Sequence, residues 1–553
     1  MFSHIQGTIA SLSSKEKSVF YAALSFLILS LILVLINSIY KNTTLVPKIG
    51  GELIEGFIGQ PSIVNPILIT TNDIDRDLSA LLFANLDALT EKIESKDHGQ
   101  TWTLTLKKSV KWSDGEPLTA SDVIYTLNTI QDTNTRSPLL ITWQGVVAEK
   151  LSDYEIKFTL KAPYVFFNDN IKSLKIIPKH IFNAIPNENI RLSNYNLEPI
   201  GNGPYIFKSS TKRKDGFITD YYLSPNPNYI KNKPYIEKLH LKFFENSSEI
   251  IKNFNKLEIT SVGGLNYQEL DNITTNYQAH NLSIPRYYAL FFNQSVNIAL
   301  KELNVRKALN LATNKNKIIQ DIFHDETEIS QGPLTKSIDS FDESIYTTEI
   351  FSLEKAQEIL ENNGWKIGSD GIREKQYGRG KLKLDFEIVV PQIKFLIDTV
   401  DIIKNDWAKI GVKLLPIIIT PQEINDRVIK TRNYQIIIFG NILKNNPDIF
   451  AFWHSSERFY PGLNLAVYEN KTVDKLLENI RKDDDIESRH KNLLKLQSTI
   501  YSDIPAIFLF SPRYLYITSK NLSGFSTTTT PTTPSDRFTA IENWYLKTQR
   551  IFK

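Results

Sequence analysis

The chain contains no cysteine and a single methionine, Met1. The first absence excludes disulfides, thiolate metal sites, a cysteine nucleophile and any lipid carried on a cysteine. An excess of one charge is also missing. Against 64 Lys and Arg stand 61 Asp and Glu, a net charge of +3. No basic field therefore argues for nucleic acid. No G-x-S-x-G, H-E-x-x-H or G-x4-G-K-[ST] occurs, which removes the nucleophile elbow, the zinc-protease helix and the P-loop. The eight histidines are scattered, and none pairs at H-x3-H spacing. No dedicated metal site is expected, and no cofactor. Tyr377 to Lys381 (YGRGK) is glycine-rich but reads as a hairpin tip, and Asp483 to Asp485 as a solvated acidic run. Nothing here predicts an enzyme.

What is present is a long chain with much to bury. Its 553 residues are 41% hydrophobic and 11% aromatic, which predicts several ordered domains. Val19 to Tyr40 carries no charge. At ~1.5 Å per residue that run spans ~33 Å, enough for a hydrocarbon core of ~30 Å. It is longer than a signal-peptide core, and no A-x-A-like site follows it. The reading is a transmembrane anchor at 19–40, with 1–18 (including His4) cytoplasmic and 41–48 a polar linker; a cleaved signal is the alternative. Beyond it, short alternating strands mix with helices, and Thr527 to Pro534 (TTTTPTTP) reads as an extended surface loop.

Leu106 to Leu127 (LKKSVKWSDGEPLTASDVIYTL) is the most telling stretch. Thr101 to Leu106 alternates polar and apolar residues, the pattern of a half-buried strand. Asp114-Gly115 supplies a turn. Thr119 or Ser121 can cap a helix whose apolar face holds Val123, Ile124 and Leu127, with Asp122 near the positive end. Other segments accompany it in order: Ile63 to Pro66 (IVNP), Leu151 to Tyr164 (LSDYEIKFTLKAPY), Ile176 to His180 (IIPKH), Pro199 to Tyr205 (PIGNGPY), Asn226 to Tyr229 (NPNY), Val305 to Ile319 (VRKALNLATNKNKII) and Ala356 to Trp365 (AQEILENNGW). Together they resemble the family 5 extracellular solute-binding proteins, receptors that deliver oligopeptides, dipeptides or nickel chelates to ABC importers.

The resemblance implies an α/β, two-lobed periplasmic-binding-protein fold of type II with an extra domain. Carried onto this chain, lobe I takes 49–80, 198–262 and 510–553, the extra domain 81–197, and lobe II 263–509. Hinge crossings are then expected at 261–265 and 509–512, where Gly263-Gly264 can absorb a backbone change. Asn202-Gly203 is either a loop beside the cleft or simply a tight turn. The implied function is membrane-tethered capture of a peptide or peptide-like solute outside the cytoplasm, as a monomer, for an ABC permease and its ATPase.

Ligand recognition is expected in Tyr434 to Asn464. In peptide-binding members a similar segment carries an Asp four residues before a Pro, where it takes the ligand's α-ammonium. Here the Pro is Pro447 and that position is Leu443; Asn446 replaces a second usual Asp. A buried ammonium without a carboxylate is costly, so the usual anchor is missing. Asp448 is a possible substitute, or Lys444 meets an acidic ligand group. Asn441 and Trp453 complete the expected ligand set, with Trp453, Phe450 and Phe452 either stacking on ligand or filling core. A blocked peptide, cell-wall fragment or non-peptide solute stays open. So do two other classes: a signalling or scaffolding module without a permease, and an envelope enzyme, against which the missing catalytic constellations count.

Overall fold

The computed structural model describes residues 11–70, 72–338, 340–346, 350–444, 446–526 and 531–553, apart from the side chains of Pro421 and Gln422. His4, most of the N-terminal segment and Thr527 to Thr530 of the low-complexity stretch lie outside the described residues. Two sheets organise the body. A seven-stranded sheet runs in the order Tyr277–Leu282, Tyr514–Ser519, Ser261–Gly263, Glu52–Ile58, Lys238–Phe244, Ile218–Pro225, Tyr205–Lys212. A six-stranded sheet runs Glu328–Ile329, Ala506–Ser511, Arg286–Phe292, Ile436–Ile442, Asp385–Pro391, Lys413–Ile419.

The second sheet shows how the sequence dictates its place. Side chains alternate across a strand, so a strand covered on both faces needs an unbroken apolar run. Tyr287 to Phe292 (YYALFF) and Ile436 to Phe439 (IIIF) are such runs. Ala289, Phe291, Val389 and Ile437 enter one core, while Leu290, Phe292, Ile388 and Ile438 enter the other. The helix Lys394–Lys409 covers one face with Leu396, Val400, Ile403 and Trp407. The helices Lys471–Lys482 and Ile486–Asp503 cover the opposite one. Asp485, expected as part of a solvated run, caps the second of these by accepting from the Ser488 amide at 2.7 Å.

The extra domain is a four-stranded sheet, Thr90–Lys96, Thr101–Leu106, Glu155–Thr159, Val147–Ser152. The helix Ala120–Gln131 packs on it, capped by Thr119 and Asp122. Its core is continuous with that of the seven-stranded sheet.

Three expectations change. The chain leaves the seven-stranded sheet at 283–285, not at 261–265, because Tyr277–Leu282 pairs with Tyr514–Ser519. Gly263 lies in a strand of that sheet, and a Cβ there would stand 2.0 Å from the Tyr514 hydroxyl. Gly263 thus admits the Tyr514 ring, while Gly264 turns the chain at a φ of +79°. Arg306 is buried and donates to the carbonyls of Leu300, Lys301, Asp503 and Ile504. Finally, the linker at 41–48 is a strand, Thr43–Lys48, paired antiparallel with Lys547–Phe552. The C-terminal strand therefore begins after the W-Y-L residues, of which Trp544 is wholly buried.

The helix before this ribbon, Ser14–Asn42, is long and apolar enough to cross a membrane, and none of its residues is buried. The Arg550 guanidinium lies 3.8 Å from the Tyr40 ring centroid and donates to Thr43 Oγ1 at 3.1 Å. The Lys553 amide donates to Asn42 O at 2.9 Å.

In the first lobe, Arg537 is buried against two carboxylates, Asp77 at 2.7 Å and Glu55 at 3.1 Å. Burial pushes the Glu55 carboxyl up, and Arg537, Ser261 and Tyr516 oppose that shift. Removing the cation strands two buried acids. Arg537→Met is expected to cost about 3–5 kcal/mol, read as a lower urea midpoint; an unchanged midpoint would show that the network holds nothing.

Candidate functional site

Two cavities flank the helix Asp73–Leu82. The smaller, about 240 Å³, lies between the lobes. The first lobe contributes Tyr267 and Tyr514, the second Tyr288, Phe323 and Phe395, with Arg286, Lys394 and Asp398 adding charge. Burial pushes the Tyr267 phenol up to about 12, so it stays a neutral donor. The larger cavity, about 490 Å³, sits where the first lobe, the extra domain and Lys444 of the second lobe meet. Asp73 borders the first and Arg76 the second, and these two pair at 2.6 Å.

Of the expected site residues, Lys444 lines the larger cavity and Gly264 the smaller. The others line neither. Asn202 and Gly203 brace a wall: Asn202 Oδ1 accepts from the Ala84 amide at 2.9 Å, and the Gly203 amide donates to Leu82 O at 2.9 Å. A Cβ at Gly203 would stand 2.5 Å from the Leu82 carbonyl carbon, so glycine is what lets the turn sit on the end of that helix. Asn441 is buried and donates to the Tyr287 hydroxyl at 2.9 Å. Trp453 is wholly buried beside Phe291 and Phe508. Phe450 is sandwiched between the His454 ring at 4.0 Å and the Arg481 guanidinium at 3.8 Å. Trp453 is core, and Phe450 and Phe452 pack half-buried against that core.

Asp448 is also occupied. Arg481 Nε donates to its two oxygens at 2.9 and 3.1 Å, and the Tyr164 hydroxyl donates at 2.7 Å. It is no free partner for an ammonium. Asn446 Nδ2 donates to Asp169 at 2.6 Å, and Lys444 Nζ to Asn170 Oδ1 at 2.5 Å. Lys444, Asn446 and Asp448 thus fasten the second lobe to Asn170, Asp169 and Tyr164 of the extra domain. Phe166 completes the fastening by entering the second lobe's core. Leu443, at the position of the missing Asp, is buried in that core too.

Sequence reasoning missed Lys175. It lines the larger cavity, and its one hydrogen bond among the described residues goes to Ser79 Oγ at 3.4 Å. Burial pushes its ammonium down to about 8, against Asp536 and Asp77. A signal was present: Lys175 interrupts the apolar run Leu174 to Ile177, and a lysine in such a run needs a reason. Among the described residues no three His, Asp or Glu side chains converge as a metal site.

The fastening is testable. Asp448→Asn and Tyr164→Phe are expected to couple in a double-mutant cycle by about 0.5–3 kcal/mol of stability. Strictly additive losses would show that the bond between lobe and extra domain contributes nothing.

Comparison with known proteins fits this architecture. The chain is 26% identical over 529 residues to the oligopeptide-binding protein AppA of Bacillus subtilis, covering 92% of this chain and 94% of that relative. The structure of AppA in complex with a nonapeptide superposes with a TM-score of 0.75 at 25% identity, covering 91% of this chain and all of that one. The substrate-binding protein CtaP of Listeria monocytogenes gives a TM-score of 0.78 at 25% identity, over 90% of this chain and all of that one. Both are two-lobed binding proteins. The model for bacterial extracellular solute-binding proteins, family 5, matches residues 87–458, and the chain belongs to that family.

Proposed function

We propose that this protein is the extracytoplasmic substrate-binding component of an ABC importer, capturing peptides or peptide-like solutes between its lobes. The observation that carries this is the full-length similarity to AppA, a named oligopeptide-binding protein, joined to an aromatic-walled cavity between the lobes. A solute touching both lobes favours the closed state by the difference in its contacts with the two states. The closed body then docks on a permease. The ATPase must be another chain, because this one carries no P-loop. The protein works as a monomer, with the helix Ser14–Asn42 as an uncleaved single-pass anchor.

The expected anchoring carboxylate is absent, since Leu443 is core and Asp448 is paired with Arg481. This favours solutes not held by a free α-ammonium at that point.

Full-length protein, extracted gently from the producing cell, should release peptide-like molecules in native mass spectrometry. Sugars or metal chelates in their place would overturn the peptide reading; no bound solute across a peptide library would favour a scaffold. For the anchor, the mature chain should resist alkaline extraction from membranes and retain Val19 to Tyr40. A mature chain starting beyond Tyr40 would refute it.

A further inference from the structure

The larger cavity has an unbalanced wall. Four cationic side chains line it, Arg76, Lys175, Lys231 and Lys444, against two carboxylates, Asp87 and Asp536. Two of the cations are already paired: Arg76 with Asp73 at 2.6 Å, and Lys231 with Glu542 at 3.4 Å. Asp536 is taken up by its own loop, accepting from the Thr532 and Thr533 amides at 2.7 and 2.9 Å. Lys175 and Lys444 differ. Among the described residues, each has only a neutral hydrogen-bond acceptor, Ser79 and Asn170 respectively. Burial lowers the pKa of the Lys175 ammonium, against Asp536 and Asp77, and that of Lys444, against Asp448 and Asp169.

We propose that this cavity receives a carboxylate of the bound solute, with Lys175 and Lys444 as its partners, so that the preferred cargo is acidic. The inference rests on the solute-capture reading and specifies its ligand. Charge-assisted hydrogen bonds to a carboxylate are about twice as strong as neutral ones. They would replace the weak bond to Ser79 and supplement the one to Asn170. The two lysines also come from different parts of the molecule: Lys175 from the extra domain, Lys444 from the second lobe. A carboxylate held by both is a contact that exists only with the parts together, which makes it a determinant of closure as well as of affinity. The polarity of the site is then reversed relative to an ammonium anchor. The cation belongs to the protein and the anion to the cargo.

The test uses the full-length chain in detergent micelles and four synthetic libraries of tripeptides to pentapeptides. The libraries have free or amidated C-termini, each with or without Asp and Glu. Native mass spectrometry and calorimetry read the binding. The library lacking every carboxylate is expected to bind at least about tenfold more weakly than the others, about 1.4 kcal/mol. Loss on amidation alone would assign the carboxylate to the peptide terminus; loss on removing Asp and Glu would assign it to a side chain. Lys175→Gln and Lys444→Gln should each erase the discrimination, and Lys444→Arg should keep it. Equal binding of the carboxylate-free library by the unaltered chain would overturn the proposal while leaving peptide capture intact. Failure of all four libraries would refute peptide capture and this proposal with it.

Discussion

The buried contact of Arg537 with Glu55 and Asp77 is the constraint on which the first lobe depends. That lobe is assembled from three separate passes of the chain; the first supplies Glu55 and Asp77, the last Arg537, and the middle one Ser261 beside them. Glu55 lies in a strand of the seven-stranded sheet, Asp77 in the helix that walls both cavities, and Arg537 in the returning C-terminal segment. Ser261, on the neighbouring strand, and the Tyr516 hydroxyl, on the strand beyond it, donate to Glu55 as well. Burying such a group is expensive and contributes less net stability than an apolar core of the same shape. What it supplies is a fixed geometry. An apolar patch tolerates sliding, whereas a guanidinium between two acids has one good position. Helix Asp73–Leu82 is set against the sheet by that position, and both cavities take their shape from the helix.

A second set of polar contacts ties the other lobe to the extra domain, from Lys444, Asn446 and Asp448 to Asn170, Asp169 and Tyr164. Its members are the residues where this chain departs from the peptide-anchoring pattern. Leu443 has gone into the core, Asn446 holds Asp169, and Asp448 is neutralised by Arg481. The segment that resemblance assigns to ligand has become largely architectural, with Lys444 alone reaching a cavity wall. On the proposed reading, the chemistry of recognition passes to side chains on other elements, among them Lys175 and the aromatics of the inter-lobe cavity.

How much of this was legible depended on distance along the chain. The strand–turn–helix at Thr101–Gln131 was readable from alternation, Asp114-Gly115 and the Thr119 cap, because those forces act within a few residues. The helix Lys394–Lys409 was legible in the same way, because Val400, Ile403 and Trp407 recur at helical spacing and form its buried face. Features set by distant partners were not. Gly263-Gly264 reads as a hinge until Tyr514, some 250 residues later, is known to fill the space above it. Trp453 offers the same ring to a solute or to Phe508, and only the packing decides. Asp448 looks like a free acid until Arg481 and Tyr164 are brought to it. Lys175 had a local signal, a charge inside an apolar run, but its cavity is built from three parts of the molecule.

The paired ends of the chain have a mechanical meaning. Six residues on each side, Thr43–Lys48 and Lys547–Phe552, form a ribbon about 20 Å long at ~3.3 Å per residue. A single disordered strand of that length would act as a leash and let the body wander through every orientation. A hydrogen-bonded ribbon, locked to its helix by Arg550 over Tyr40, acts as a stalk. If the helix Ser14–Asn42 anchors the chain in a membrane, as proposed, a body on such a stalk meets a neighbour in the same bilayer from a narrow range of heights and tilts. Its search is a rotation about a post rather than diffusion in a volume, which raises the effective concentration of the one face that must dock.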